Sequence, residues 1–107
     1  DTSKVGNMAQ MFRETGRGNP NFVLNLGDRF SINSANSIDY MFYKTGSKNN
    51  NFVLDLSNIS FGSIANYNNF IDTNATTTIY VKSEVEKNWI LDKNFTGVSS
   101  SNVIVKS

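Results

Sequence analysis

Residues 41–56, MFYKTGSKNNNFVLDL, repeat residues 11–26, MFRETGRGNPNFVLNL, at a constant offset of 30 and without a gap. Met11/Met41, Phe12/Phe42, Thr15/Thr45, Gly16/Gly46, Asn21/Asn51, Phe22/Phe52, Val23/Val53, Leu24/Leu54 and Leu26/Leu56 are identical pairs. A fixed period that preserves apolar and glycine positions marks a chain of stacked units. Each unit buries its apolar face on the next rather than in one central core.

Within a unit the pattern changes period. In the first, Val5, Met8 and Phe12 recur at helical spacing, which predicts a short amphipathic helix over residues 1–13. Thr2 or Ser3 would cap its start, and Gly16 would end it in the left-handed region. Pro20 lies in the loop that follows. Residues 22–26 then alternate, with Phe22, Leu24 and Leu26 on one face and Val23 and Asn25 on the other, as a strand does. Gly27-Asp28 turns the chain, and Phe30 plugs the space behind the strand.

The second unit predicts a helix carrying Ala35, Ile38, Met41 and Phe42, capped by Asn33 or Ser34. A strand follows over 52–56, with Ile59 and Phe61 in the place of Phe30. The third unit is shorter. Ile64, Tyr67, Phe70 and Ile71 give the helix face and residues 77–81 the strand. Ile79 follows Leu54 by 25 residues, so about five loop residues are lost. A strand-plus-helix unit of about 25–30 residues lies in or just beyond the leucine-rich-repeat range.

The units run over about 1–30, 31–61 and 62–82, and residues 83–107 differ, as a closing unit should. Ser83-Glu84-Val85-Glu86 reads as a capping box. Trp89, spaced helically with Val85, reads as a core plug, and residues 102–105 form the last strand with Val103 and Val105 inward. The fold expected is a short right-handed α/β solenoid, with a parallel sheet on one face and short helices on the other. Asp1 opens mid-array, so further repeats are expected before it. A globular α+β domain containing a duplication is the competing reading.

The chain lacks Cys and His, which removes disulfides, thiolate chemistry, zinc clusters and the usual general base. Four carboxylates, Asp28, Asp39, Asp55 and Asp72, match no calcium-loop spacing. No cofactor, metal or catalytic set is expected. The net charge of +1 carries no basic stripe of the kind nucleic-acid binders show. No apolar run approaches the length of a membrane span. Asn is abundant, as in Asn49-Asn50-Asn51. Turns favour it, and an AT-rich genome would also produce it.

Residues 1–12, DTSKVGNMAQMF, resemble the DTSKVTNMSxMF signature of BspA-like leucine-rich-repeat surface proteins of bacteria. The Leu24-x-Leu26 strand core is similar too, as are the TIYVK-like strand at 78–82 and the NVIVK-like strand at 102–106. Residues 31–39, SINSANSID, depart from the signature. The resemblance implies an extracellular solenoid for adhesion or display at the bacterial surface, and it carries over no catalytic residue.

Two surfaces are candidates for binding a host or bacterial surface protein or a glycan. The first is the outward sheet face: Val23, Asn25, Val53, Asp55, Thr78, Tyr80 and Ile104. Stacked in register these form two columns, and Tyr80 beside Asp55 suits a sugar ring or a protein anchor. The bland alternative is a solvated sheet with Val and Thr kept for strand propensity. The second is the pair of polar loops after Thr15 and Thr45, where Arg17 and Lys48 could meet an anion or a glycan. There the alternative is a tolerated insertion. Three functions follow: a non-enzymatic adhesion module, a structural spacer or end cap, or an accessory carbohydrate-binding domain of a surface enzyme.

Overall fold

The computed structural model describes residues 4–19, 24, 26, 30–62 and 64–106. It is an α/β structure with parallel strands in two sheets. The elements run β1 (Phe42–Tyr43), β2 (Val53–Leu56), β3 (Ile71–Asp72), β4 (Thr78–Val81), α1 (Glu84–Asp92) and β5 (Val103–Val105). The larger sheet has the order β2-β4-β5, all parallel, and Leu24 adds a parallel bridge to Leu54. The smaller sheet pairs β1 with β3, and a bridge joins Asp72 to Thr96. Among the described residues neither sheet closes into a barrel.

Register in the larger sheet follows the repeat. Leu24 pairs with Leu54, Leu54 with Ile79, and Ile79 with Val103. The last step therefore matches Val103, one residue earlier than a 25-residue spacing would give. Leu54, Ile79 and Val103 are buried in one column, and Leu56 and Val81 in the next. Parallel sheets covered on both faces read as continuous apolar runs. Here each strand alternates, because one face meets the core and the other meets water.

The expected short helices are not what forms the opposite face. Among the described residues α1 is the one α-helix, and residues 8–19 and 38–49 are ribbons of overlapping turns. Met11, Arg13, Thr15, Arg17 and Asn19 each donate their N–H to the carbonyl three residues earlier, at 3.1–3.3 Å. The amides between them point sideways. Met8, Gln10, Phe12 and Glu14 donate to Ser37, Asp39, Met41 and Tyr43 of the next unit, at 2.7–3.0 Å. The second ribbon repeats the rule, with Ile38, Tyr40, Phe42 and Lys44 donating to Asn66, Asn68, Phe70 and Asp72, each at 2.8 Å.

An α-helix would turn every interior N–H inward upon itself. The ribbon spends half on local turns and half on joining units. Residues 33–46, rich in Asn, Ser, Tyr, Phe, Thr and Gly, are weak helix formers, so little local free energy opposes this exchange. Apolar spacing was nonetheless read correctly, because Ile38, Met41 and Phe42 are fully buried.

The ribbon's geometry requires left-handed residues. Gln10, Tyr40 and Asn69 have φ of 63°, 58° and 48°, and Glu14 and Lys44 have 57° and 56°. Side chains tolerate this region poorly, so the ladder must hold them there; Tyr40 and Lys44 are gripped between ladder bonds to the units before and after.

Aromatic rings fill the space between ribbons and sheet. Phe12, Phe42, Phe70 and Phe95 form a column with centroid separations of 5.5, 5.3 and 5.8 Å. Trp89 lies flat on Phe61 at 4.5 Å and meets Tyr67 edge-on at 5.4 Å, so it is the core plug expected of it. The capping box is not made. Ser83 is the N-cap, but its hydroxyl donates to the Glu86 carboxylate instead of capping a backbone amide.

The conserved threonine of the two long units has a buried task in the second. Thr45 is 1% exposed and its hydroxyl donates to the Phe12 carbonyl of the preceding unit. Thr45→Val keeps the shape and removes that bond, with an expected loss of about 1 kcal/mol. Thr15→Val, at an exposed position, should change the urea midpoint little, and equal losses at the two sites would contradict this role.

Candidate functional site

Strands β2, β4 and β5 bring the predicted sheet-face residues together. Val53 lies beside Thr78, and Asp55 beside Tyr80, which in turn neighbours Ile104. Val53 and Ile104 are exposed, while Asp55, Thr78 and Tyr80 are half-buried. Val23 and Asn25, which would extend both columns, lie outside the described residues.

One residue the sequence reading did not weigh dominates this face. Lys106, just past β5, places its ammonium 2.7 Å from Asp55 Oδ2 and 5.2 Å from the centre of the Tyr80 ring. Asp55 Oδ1 also accepts the Ser57 N–H at 3.0 Å and the Ser57 hydroxyl. Partial burial pushes the Asp55 carboxyl upward. The hydrogen bonds from Lys106 and Ser57 and the Lys106 charge outweigh it, and hold the group below the ordinary 3.8. Hydrogen bonding to Asp55, reinforced by its charge, holds Lys106 above the ordinary 10.5.

The signs define a pH window. A depressed carboxyl contributes stability above its unfolded pKa, lost as pH falls through the folded value. A raised ammonium contributes below 10.5, lost as pH rises through its folded value. The melting-temperature difference between the native chain and Lys106→Met should be flat across neutral pH. It should close below the carboxylate range and again in strong alkali. A difference indifferent to acid would mean that the pair does not form. Exposure and salt screening keep the effect small.

The loop candidates Arg17 and Lys48 lie side by side. The Lys48 N–H donates to the Arg17 carbonyl at 2.9 Å. Arg17 is half-buried and its Nη1 lies 2.8 Å from Glu14 Oε1, while Lys48 is exposed. Arg17 therefore spends part of its hydrogen bonding internally.

The ribbon face holds a group that sequence reading missed. Tyr40 and Tyr43 meet edge-on at 5.2 Å. The Arg13 guanidinium lies 5.3 Å and 5.0 Å from their ring centres, and Lys44 Nζ lies 5.3 Å from that of Tyr43. A signal was present: Met41 and Phe42 had to point inward, which leaves the tyrosines on either side of them near the surface.

Asparagine also has a use beyond turns. The Asn66 amide donates to Asn36 O at 2.8 Å, and the Asn74 amide to Ser47 O at 2.6 Å. Each clamps one unit to the backbone of the one before.

Among the described residues no three His, Cys, Asp or Glu side chains gather as a metal site, and no helix is long and apolar enough to cross a membrane. Comparison with protein-family models, curated proteins and solved structures finds no match to the chain.

Proposed function

We propose that the chain is a non-enzymatic binding module of a bacterial cell-surface protein, built as a short right-handed solenoid of the BspA-like leucine-rich-repeat type. Its partner would be a host or bacterial surface protein or a glycan. The observation that carries this reading is the one-sided parallel sheet. Its outward residues Val53/Thr78 and Asp55/Tyr80/Ile104 lie in register and reach solvent. A rigid, extended face is what stacked-unit proteins use for recognition. The assignment to adhesion and to the cell surface rests on the resemblance of residues 1–12 and 102–106.

A second reading, a structural spacer or end cap, draws support from Lys106, which occupies Asp55 and covers one side of Tyr80. A binding screen separates the two. The purified chain is tested against immobilised host matrix proteins and a glycan array, beside Asp55→Ala/Tyr80→Ala and Lys106→Met. The module reading expects a saturable partner, lost in the double variant while its melting temperature falls only by the small amount that loss of the Lys106–Asp55 pair entails. Binding that ignores the sheet-face changes removes this face as the site. Loss of stability alone, with no partner for any variant, favours the spacer.

A further inference from the structure

We propose that the ribbon face is a separate site for an anionic polysaccharide, one carrying carboxylate or sulfate groups. Arg13 and Arg17 stand on one ribbon, Lys44 and Lys48 on the next. The two ribbons are joined by Glu14 N–H to Tyr43 O at 2.7 Å and by Lys48 N–H to Arg17 O at 2.9 Å. Within residues 10–19 and 40–51 these four cations face a single carboxylate, Glu14, in a chain whose whole net charge is +1. The positive charge is therefore concentrated on this strip.

The cations are held in place and only partly neutralised, with one carboxylate for all four. Glu14 is shared between Arg17 at 2.8 Å and Arg13 at 3.7 Å. Among the described residues neither Lys44 nor Lys48 has a carboxylate within ion-pair distance. Arg13, besides its longer contact with Glu14, rests on Tyr40 and Tyr43, and Lys44 rests on Tyr43; ring contacts fix position without supplying a counter-charge. The Arg13 guanidinium gives one Nη1 hydrogen bond to Gln10 Oε1 at 3.1 Å and keeps its remaining Nη donors for a carboxylate or sulfate. Two acids border the strip. Asp39 accepts the Asn68 N–H at 2.7 Å, and Asp72 pairs laterally with Tyr43.

The shape selects the class of polyanion. Two hydrogen-bonded ribbons make a strip rather than a pocket, suited to a linear chain with regularly spaced charges. Tyr40 and Tyr43 add phenols that match sugar hydroxyls and ring edges that match sugar C–H faces, and Gln10, whose Oε1 accepts from Arg13 Nη1 at 3.1 Å, adds an amide. An acidic polypeptide would find charge here but no apolar groove for its side chains.

The test measures retention of the whole chain on immobilised polygalacturonate and heparin, with dextran as the neutral control and polyglutamate as a competitor. Binding to either polyanionic sugar is expected, weakening about tenfold as sodium chloride rises from about 0.05 M to about 0.5 M. Arg13→Gln/Lys44→Gln should weaken it by about tenfold at unchanged melting temperature. Lys48→Gln, on an exposed side chain, serves if that double variant melts early. Asp55→Ala/Tyr80→Ala should leave it intact, which separates this site from the sheet face. No retention on either sugar at low salt overturns the proposal, as does a charge variant that binds like the native chain. Equal competition by polyglutamate would show charge alone at work and overturn the saccharide assignment.

Discussion

Gly97→Ala is expected to be among the most damaging single substitutions in the chain. Gly97 has φ of +82°, and a Cβ there would collide with the Thr73 carbonyl oxygen. That oxygen belongs to backbone held by a ladder bond, Thr73 N–H to Thr96 O at 3.0 Å, and cannot swing aside like a side chain. The left-handed conformation costs about 1–2 kcal/mol for alanine. The forced shift of packed backbone adds about 1–3 kcal/mol. The sum is a large part of a small domain's stability, so the urea midpoint should fall sharply. Gly46→Ala should follow closely, because its Cβ would meet the buried Phe52 ring at 2.6 Å with φ of +59°. Gly62→Ala is the control, with φ of +53° but nothing within 4 Å, and should cost about 1 kcal/mol. If Gly97→Ala melts with Gly62→Ala, the close approach to Thr73 does not exist in solution.

The second large effect is Phe70→Ala. Phe70 is fully buried, and its ring lies 5.3 Å from Phe42, 5.8 Å from Phe61 and from Phe95, and 6.2 Å from Trp89. Removing it opens a cavity where the ribbon, the sheet side and the last unit meet, at an expected cost of about 3–5 kcal/mol. Phe70→Leu refills most of that volume and should cost less than half as much. Trp89 is the chain's single tryptophan, so its emission reports the site directly. A red shift is expected for the alanine variant and little change for the leucine one. An unshifted spectrum and an unchanged midpoint would place Phe70 outside the core.

The inward positions of this architecture are legible in the sequence because burial follows spacing. Met41, Phe42, Leu54, Leu56, Ile79 and Val81 were all identifiable, and all are buried. The local conformation of residues 38–49 was not. Apolar residues at three- and four-residue intervals suit a helix, but a ribbon of overlapping turns presents the same residues to the same core. What separates them is where alternate amides go, and that depends on the neighbouring unit. Positive φ at Tyr40 and Lys44 lies beyond local propensity for the same reason. Gly16 and Gly46 were readable as left-handed, since glycine announces the requirement.

The candidate sites divide similarly. Strand alternation was enough to put Asp55 and Tyr80 on one face. Lys106 over them depended on the register of β5, which no repeat comparison supplies. Arg13 on Tyr40 and Tyr43 depended on two ribbons lying side by side. Asn66 and Asn74 looked like compositional bias until their carbonyl partners in the preceding unit were visible.

The sideways amides of the ribbon also bear on how such a chain can change over generations. The seam between units is made largely of main chain, which every copy carries whatever its side chains are. A duplicated unit can therefore join its neighbour at once, without new complementary residues. Outward positions are then free to differ, as Gln10 and Arg13 of one copy differ from Tyr40 and Tyr43 of the next. Novelty at the surface comes readily to a molecule whose joints depend on residue identity at only a few places, such as Thr45, Asn66 and Asn74.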